Sequence, residues 1–126
     1  SKLKEFEQAF AATVGAEHAI GVVSCTAALH LCLAHLGVKA GDEVITSPIT
    51  WASTANTMAH MGVKPVFADI QPDTLNIDPA ALERAITPRT KAIMPVHLAG
   101  QPADLEAIHA IGKKHGIPIV EDAAHA

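Results

Sequence analysis

Apolar residues recur along this chain with two alternating periods, one helical and one strand-like. Residues 2–14 place Leu3, Phe6, Phe10 and Val14 at helical spacing, and Gly15 follows as a stop signal. Residues 18–23 read as a short apolar strand. Residues 26–37 predict a helix with Leu29, Cys32, Leu33 and Leu36 on one stripe, ended by Gly37. Eight of its twelve residues are apolar, which predicts burial on more than one side. A strand at 42–47, a helix at 50–62 closed by Gly62 and a strand at 64–70 come next. Asp78 suits an N-cap with Pro79 at the first helical position, opening a helix to about Ile86. Residues 91–97 predict a strand, Pro102 opens a helix that Gly116 closes, and residues 117–122 form the last strand.

Four of these strands are continuous apolar runs without alternation, as expected when helices cover both faces of a sheet. The predicted fold is therefore α/β, a three-layer, mostly parallel sheet flanked by helices. The chain begins inside a helix and stops just after a buried-type strand, so we expect a piece of a larger protein with one sheet face left exposed.

Composition narrows the picture. With 126 residues there is one domain's worth of chain, and 49% apolar against 17% charged residues suits a folded core. The only aromatics are Phe6, Phe10, Trp51 and Phe67, which leaves almost no room for a stacked-aromatic ligand cage. A net charge of −4 argues against a nucleic-acid partner. No apolar run approaches the ~18 residues of a membrane span, and the N-terminus lacks the apolar stretch of a secretory signal. Cys25 and Cys32, seven apart in one predicted helix, would sit ~10 Å apart, too far for a disulfide. A reduced, cytoplasmic protein is the expectation.

In an open parallel sheet, ligands bind beyond the carboxyl ends of the strands. That rule selects residues 24–27, residues 47–51, Asp69, His97, and Asp122 with His125. Ser24, Cys25, Thr26 and Ala27 lie at a strand-to-helix turn, whose unpaired N–H groups suit a phosphate; Ser24 as a plain N-cap is the competing reading. Trp51, the only tryptophan, is either core or a ligand platform at the site edge. Asp122 closes an apolar strand beside Glu121, and only one of the two can point each way. A carboxylate there needs a cation facing it, or else it caps a following helix. Cys25 near a helix N-terminus is either an activated thiolate or, more simply, a small buried hydrophobe. Metal-ligand spacings and the glycine-rich nucleotide fingerprints are absent, which disfavours a dehydrogenase half.

Taken together, residues 24–70, the segment PVHLAGQPADLEAI and the segment IPIVEDAAHA resemble the DegT/DnrJ/EryC1/StrS sugar aminotransferases over essentially the whole chain. These are pyridoxal 5'-phosphate (PLP) enzymes of the aspartate-aminotransferase fold. TWASTAN, ITPRTKAI and EDAAHA are most similar to the UDP-4-amino-4-deoxy-L-arabinose–oxoglutarate aminotransferase subgroup, which serves lipid A modification and carries His where much of the family has Gln. The resemblance implies that Thr26 and Ala27 hold the cofactor phosphate and Trp51 stacks on the ring. It also implies that Asp122 pairs with the ring nitrogen and His125 bonds the ring hydroxyl. The implied substrates are glutamate or 2-oxoglutarate and a nucleotide-linked 4-keto-sugar, and the implied assembly is a homodimer. Residues 1–126 would be part of the large, PLP-binding domain.

One family feature is missing. The Schiff-base lysine of the family lies in a motif resembling SFxxxK, and none of Lys2, Lys4, Lys39, Lys64, Lys91, Lys113 or Lys114 has that context. Its segment and the smaller C-terminal domain are expected elsewhere, and the 126 residues alone are expected to be inactive. A PLP-dependent sugar dehydratase, with histidine in place of that lysine, and a non-catalytic ligand-binding module on the same fold are the competing readings.

Overall fold

The computed structural model describes all 126 residues. In chain order the elements are α1 (Lys2–Val14), α2 (Cys25–His35), β1 (Glu43–Thr46), α3 (Ala52–His60), β2 (Lys64–Phe67), α4 (Pro79–Arg84), β3 (Thr90–Met94), a 3-10 turn (Leu98–Gly100) and α5 (Leu105–His115). The strands form a parallel sheet in the order β2-β1-β3.

Strand alternation builds the two cores. Val44, Ala92 and Met94 face one side, where they meet Leu29 and Leu33 of α2 and Met58 of α3. Ile45 and Ile93 face the other, against Ala81 and Leu82 of α4, Ile77 and Ile108 of α5. Helices thus cover both faces, as the apolar runs predicted. The exposed apolar surface on the sheet is limited to its edge strand β2, where Phe67 is 53% exposed. Most other large exposed apolar side chains lie on α1, on the outer side of α2 and in the segment after α1, with Ile49, Trp51 and Leu75 in loops or at a helix start.

Two predicted strands come out differently. Residues 18–23 run extended beside α1, where the Gly21 N–H donates to Glu7 at 2.8 Å, and Val23 is 97% exposed. No strand lies next to this segment, so its apolar run has no ladder to join. Residues 117–122 do run parallel to β3, but through separate bridges at Ile93–Ile119 and Val96–Asp122 rather than a continuous ladder. Pro95 and Pro118 have no N–H to contribute, so the pairing is interrupted, and β3 itself stops at Met94 rather than residue 97. Four bonds still hold the segment. Ile93 N–H donates to Pro118 O, Val120 N–H to Ile93 O, Asp122 N–H to Pro95 O and His97 N–H to Asp122 O, at 2.9–3.1 Å.

Helix boundaries shift for local reasons. The carboxylate of Asp104 accepts from Ala107 N–H at 3.1 Å, so α5 starts after Asp104 and Pro102 lies ahead of it. In α2 only Leu29 and Leu33 are buried; Cys32 and Leu36 are exposed, because one side of the helix meets the sheet and α3. Both cysteines are free thiols.

At the amino end of β1, Glu43 is almost fully buried. Its carboxylate accepts from the Thr87 hydroxyl, from Arg89 at 2.8 Å and from Lys64 at 3.3 Å. The Thr87 hydrogen bond first, then that of Arg89, lower its pKa to about 2. A depressed carboxylate stabilises the fold fully above its unfolded pKa of about 4.3, and that contribution disappears as pH falls through about 2. We expect the urea midpoint of the native protein to fall more steeply between about pH 5 and about pH 2 than that of Glu43→Gln. Parallel acid limbs would show that this cluster carries no linkage.

Candidate functional site

The site lies at the carboxyl ends of the strands, around a cavity of about 160 Å³ lined by Cys25, Thr26, Thr50, Trp51, Ser53, Val96, Asp122, Ala124 and His125. A larger open groove of about 710 Å³ lies at the opposite end, near the start of β3, and holds Glu83, Lys91 and His115. Parallel sheets bind ligands at their carboxyl ends, and the smaller cavity is the one where candidate residues converge.

Ser24 has extended backbone, and its hydroxyl accepts from Ala27 N–H at 3.2 Å, so it is the N-cap of α2. The N–H groups of Cys25 and Thr26 find no acceptor within the chain. Capping by Ser24 therefore leaves part of the helix N-terminus free: Thr26 lines the cavity with a free N–H and a hydroxyl, while Ala27 lies one residue deeper with its N–H engaged.

Trp51 occupies the N-cap position of α3 and is 75% exposed at the edge of the cavity, so it is not a core residue. Asp122 is only 5% exposed. Its Oδ2 accepts from the Thr54 hydroxyl at 2.8 Å, and its Oδ1 meets the Cys25 thiol at 3.6 Å and the Ala124 N–H at 3.3 Å. These three donors occupy three of the carboxylate's acceptor positions, and no Lys, Arg or His side chain pairs with it. Glu121 points the other way, as strand alternation required.

Cys25 is neither of the things its sequence position suggested. It is an exposed residue lining the cavity rather than a buried hydrophobe. Partial burial and the adjacent Asp122 carboxylate push its thiol pKa up, which is opposite to activation.

Other candidates fall away from the cavity. His97 is buried, its Nδ1 accepting from Ala103 N–H at 3.1 Å and its Nε2 lying 2.9 Å from Glu121. A backbone N–H can only donate, so Nε2 carries the ring proton and donates to Glu121. His97 is thus a bracket between two segments. Asp69 is exposed and accepts from its own neighbour, Ile70 N–H, and Ser47 is buried in a local bond with Ile49. His125 does line the cavity, with Nδ1 accepting from Ala99 N–H at 3.3 Å. None of the seven lysines lines it.

Thr54 escaped the sequence reading, whereas Thr50 falls within the selected residues 47–51. Thr54 is fully buried and spends its proton on Asp122, so Thr50, 2.7 Å away, must donate to Thr54. Thr50 precedes the N-cap of α3 and Thr54 lies in its first turn, so only their four-residue spacing in the predicted 50–62 helix hinted at the pair.

Comparison with known proteins places this geometry. The model of the DegT/DnrJ/EryC1/StrS aminotransferase family matches residues 1–126. The chain is 60% identical over 125 residues to the spore coat polysaccharide biosynthesis protein SpsC of Bacillus subtilis (strain 168), covering 99% of this chain and 32% of that protein. The crystal structure of S. venezuelae DesV in complex with a ketimine intermediate superimposes with a TM-score of 0.97 at 44% identity, over 100% of this chain and 34% of that one. That of NtdA from Bacillus subtilis, with the bound cofactor PMP, gives 0.95 at 36% identity, over 98% and 28%. The chain spans about a third of the length of these relatives. A family model matched from end to end is decisive: this chain belongs to the DegT/DnrJ/EryC1/StrS aminotransferase family.

Proposed function

We propose that these residues form the cofactor-holding part of a PLP-dependent sugar aminotransferase. The observation that carries the reading is Asp122, a buried carboxylate with three donors, no cationic side chain, and one face on the cavity. A carboxylate has about four acceptor positions, so one remains for an incoming N–H. A protonated pyridine nitrogen supplies both that N–H and the missing positive charge.

The remaining residues suit the same group. The free N–H groups of Cys25 and Thr26, at the positive end of α2, match a phosphate. Trp51 offers an exposed flat face at the cavity edge. His125 supplies a ring nitrogen. When bound, PLP serves as an electron sink for the carbanion formed as Cα of the amino substrate loses its proton. Asp122 would pair with the ring nitrogen and favour its protonated form, which strengthens the sink. The lysine that moves that proton comes, in this reading, from the part of the longer protein outside these residues.

For the substrates we propose glutamate as amino donor and a nucleotide-linked 4-keto-sugar as acceptor, used in a surface-polysaccharide or lipid A pathway, by a cytoplasmic homodimer. SpsC, named for spore coat polysaccharide biosynthesis, supports the polysaccharide context. No helix here is long and apolar enough to cross a membrane. The test uses the complete protein. Mixed with PLP, it should gain a visible absorbance band that glutamate bleaches, and the band should return on adding the keto-sugar. Absence of the band, or a band that glutamate leaves unchanged, would remove the aminotransferase reading; PLP retained without a Schiff-base band would favour the dehydratase, which lacks the lysine.

A further inference from the structure

The loop between β3 and α5 is held more firmly than a surface loop requires. Asn76 is 1% exposed and spends its whole side chain on this loop. Its Nδ2 donates to Gln101 O at 3.0 Å and Pro102 O at 3.2 Å, and its Oδ1 accepts from Leu98 N–H at 3.0 Å. The bracket made by His97 fixes the loop's far end at Ala103. Between these clamps Ala99 sits at φ 53, ψ 26, a left-handed conformation that a residue with a Cβ avoids unless its surroundings impose it. Gly100 follows at φ 87, and a Cβ there would approach within 2.9 Å of the His125 carbonyl oxygen.

The product of this arrangement is one contact. Ala99 N–H points at His125 Nδ1, 3.3 Å away, while His125 Nε2 makes no hydrogen bond within the chain. A backbone N–H can only donate, so Nδ1 must be bare and the proton of the neutral ring must sit on Nε2. We propose that Asn76 is a positioning residue that acts through the 98–102 loop to fix His125 as the tautomer whose free nitrogen, Nε2, is a donor. The ligand-side use of that donor, toward an oxygen of the bound cofactor, rests on the function proposed above; the tautomer itself does not. A glutamine at this position would carry its own NH₂ donor and would not depend on the loop in this way.

Two measurements on the complete protein test this. The first is nitrogen-15 NMR of the histidine-labelled native protein, with His125 assigned by its loss in His125→Gln. The neutral ring should show Nε2 protonated and Nδ1 bare; the opposite tautomer overturns the proposal whether or not the protein binds PLP. The second is a double-mutant cycle on the PLP dissociation constant. Asn76→Ser should weaken PLP roughly tenfold when His125 is present and less than about twofold in the His125→Gln background. An equal loss in both backgrounds would show that Asn76 serves only the fold, and would overturn the proposal. If the native protein shows no PLP band at all, the function reading fails, and the tautomer measurement still decides the inference.

Discussion

Asp122→Asn is expected to lower transamination by the complete protein by roughly 10²–10³-fold, the range seen when a preorganised electrostatic partner is removed from a reacting group. The substitution keeps the number of heavy atoms and the side-chain shape, so packing around the site should survive. Hydrogen bonding need not fail either. The amide oxygen can take over acceptance from Ala124 N–H and Cys25, since a backbone N–H can only donate. The amide NH₂ then faces Thr54, whose hydroxyl can rotate to accept and donate in turn to Thr50. What the substitution removes is the negative charge. A ring nitrogen beside a neutral amide loses the partner that favours its protonated form, and the sink weakens. The phosphate end and Trp51 are untouched, so PLP should still bind. The measurements are turnover and PLP affinity on the same preparation. Near-native turnover would refute the electrostatic role of Asp122, whereas loss of both binding and fold would point to a purely structural carboxylate.

The ease of reading this chain varied with the range of the interactions involved. Asp78 and Pro79 gave the start of α4, and Asp78 does accept from Ala80 and Ala81 N–H, because a cap is decided within four residues. The strand-end rule led to Asp122, Trp51 and Thr26 because it depends on topology alone, and the topology followed from the apolar runs. The misses share a different cause. Residues 18–23 have strand composition, but whether they pair depends on a neighbour the sequence does not name. Pro95 and Pro118 were in plain view, yet their effect depends on which residue each faces across the gap. Cys32 falls on the apolar stripe of α2, but the width of the buried stripe is set by what packs against it. His97 stands at the right strand end with its side chain turned into a bracket, and a strand end cannot be read for rotamer. Asn76 is the extreme case. It lies in an ordinary-looking turn, and its partners are more than 20 residues downstream.

Leu33→Ala is expected to destabilise the protein by about 2–5 kcal/mol, the range for truncating a fully buried leucine in a packed core. Leu33 has no exposed surface, and it shares with Leu29 alone the task of anchoring α2. Its neighbours Val44, Met58, Ala92 and Met94 come from two strands and α3, which cannot all close onto an alanine at once, so a cavity should remain. The matched control is Cys32→Ala, one residue away on the same helix but exposed, which should change stability by no more than about 0.5 kcal/mol. The pair tests the central correction to the sequence pattern, in which Leu33 and Cys32 lay on one stripe. In urea, Leu33→Ala should lower the midpoint by about 1 M or more while Cys32→Ala leaves it in place. The consequence reaches the site, because α2 presents Cys25 and Thr26 at its first turn, eight and seven residues from Leu33 and so ~10–12 Å up the helix axis. A helix that still forms but sits loosely should bind PLP more weakly, with Thr26 and the free N–H groups no longer held against the cavity. Equal urea midpoints for the two variants would mean that α2 is anchored through its outer side as well. In that case its packing in the complete protein differs from the packing seen in these 126 residues.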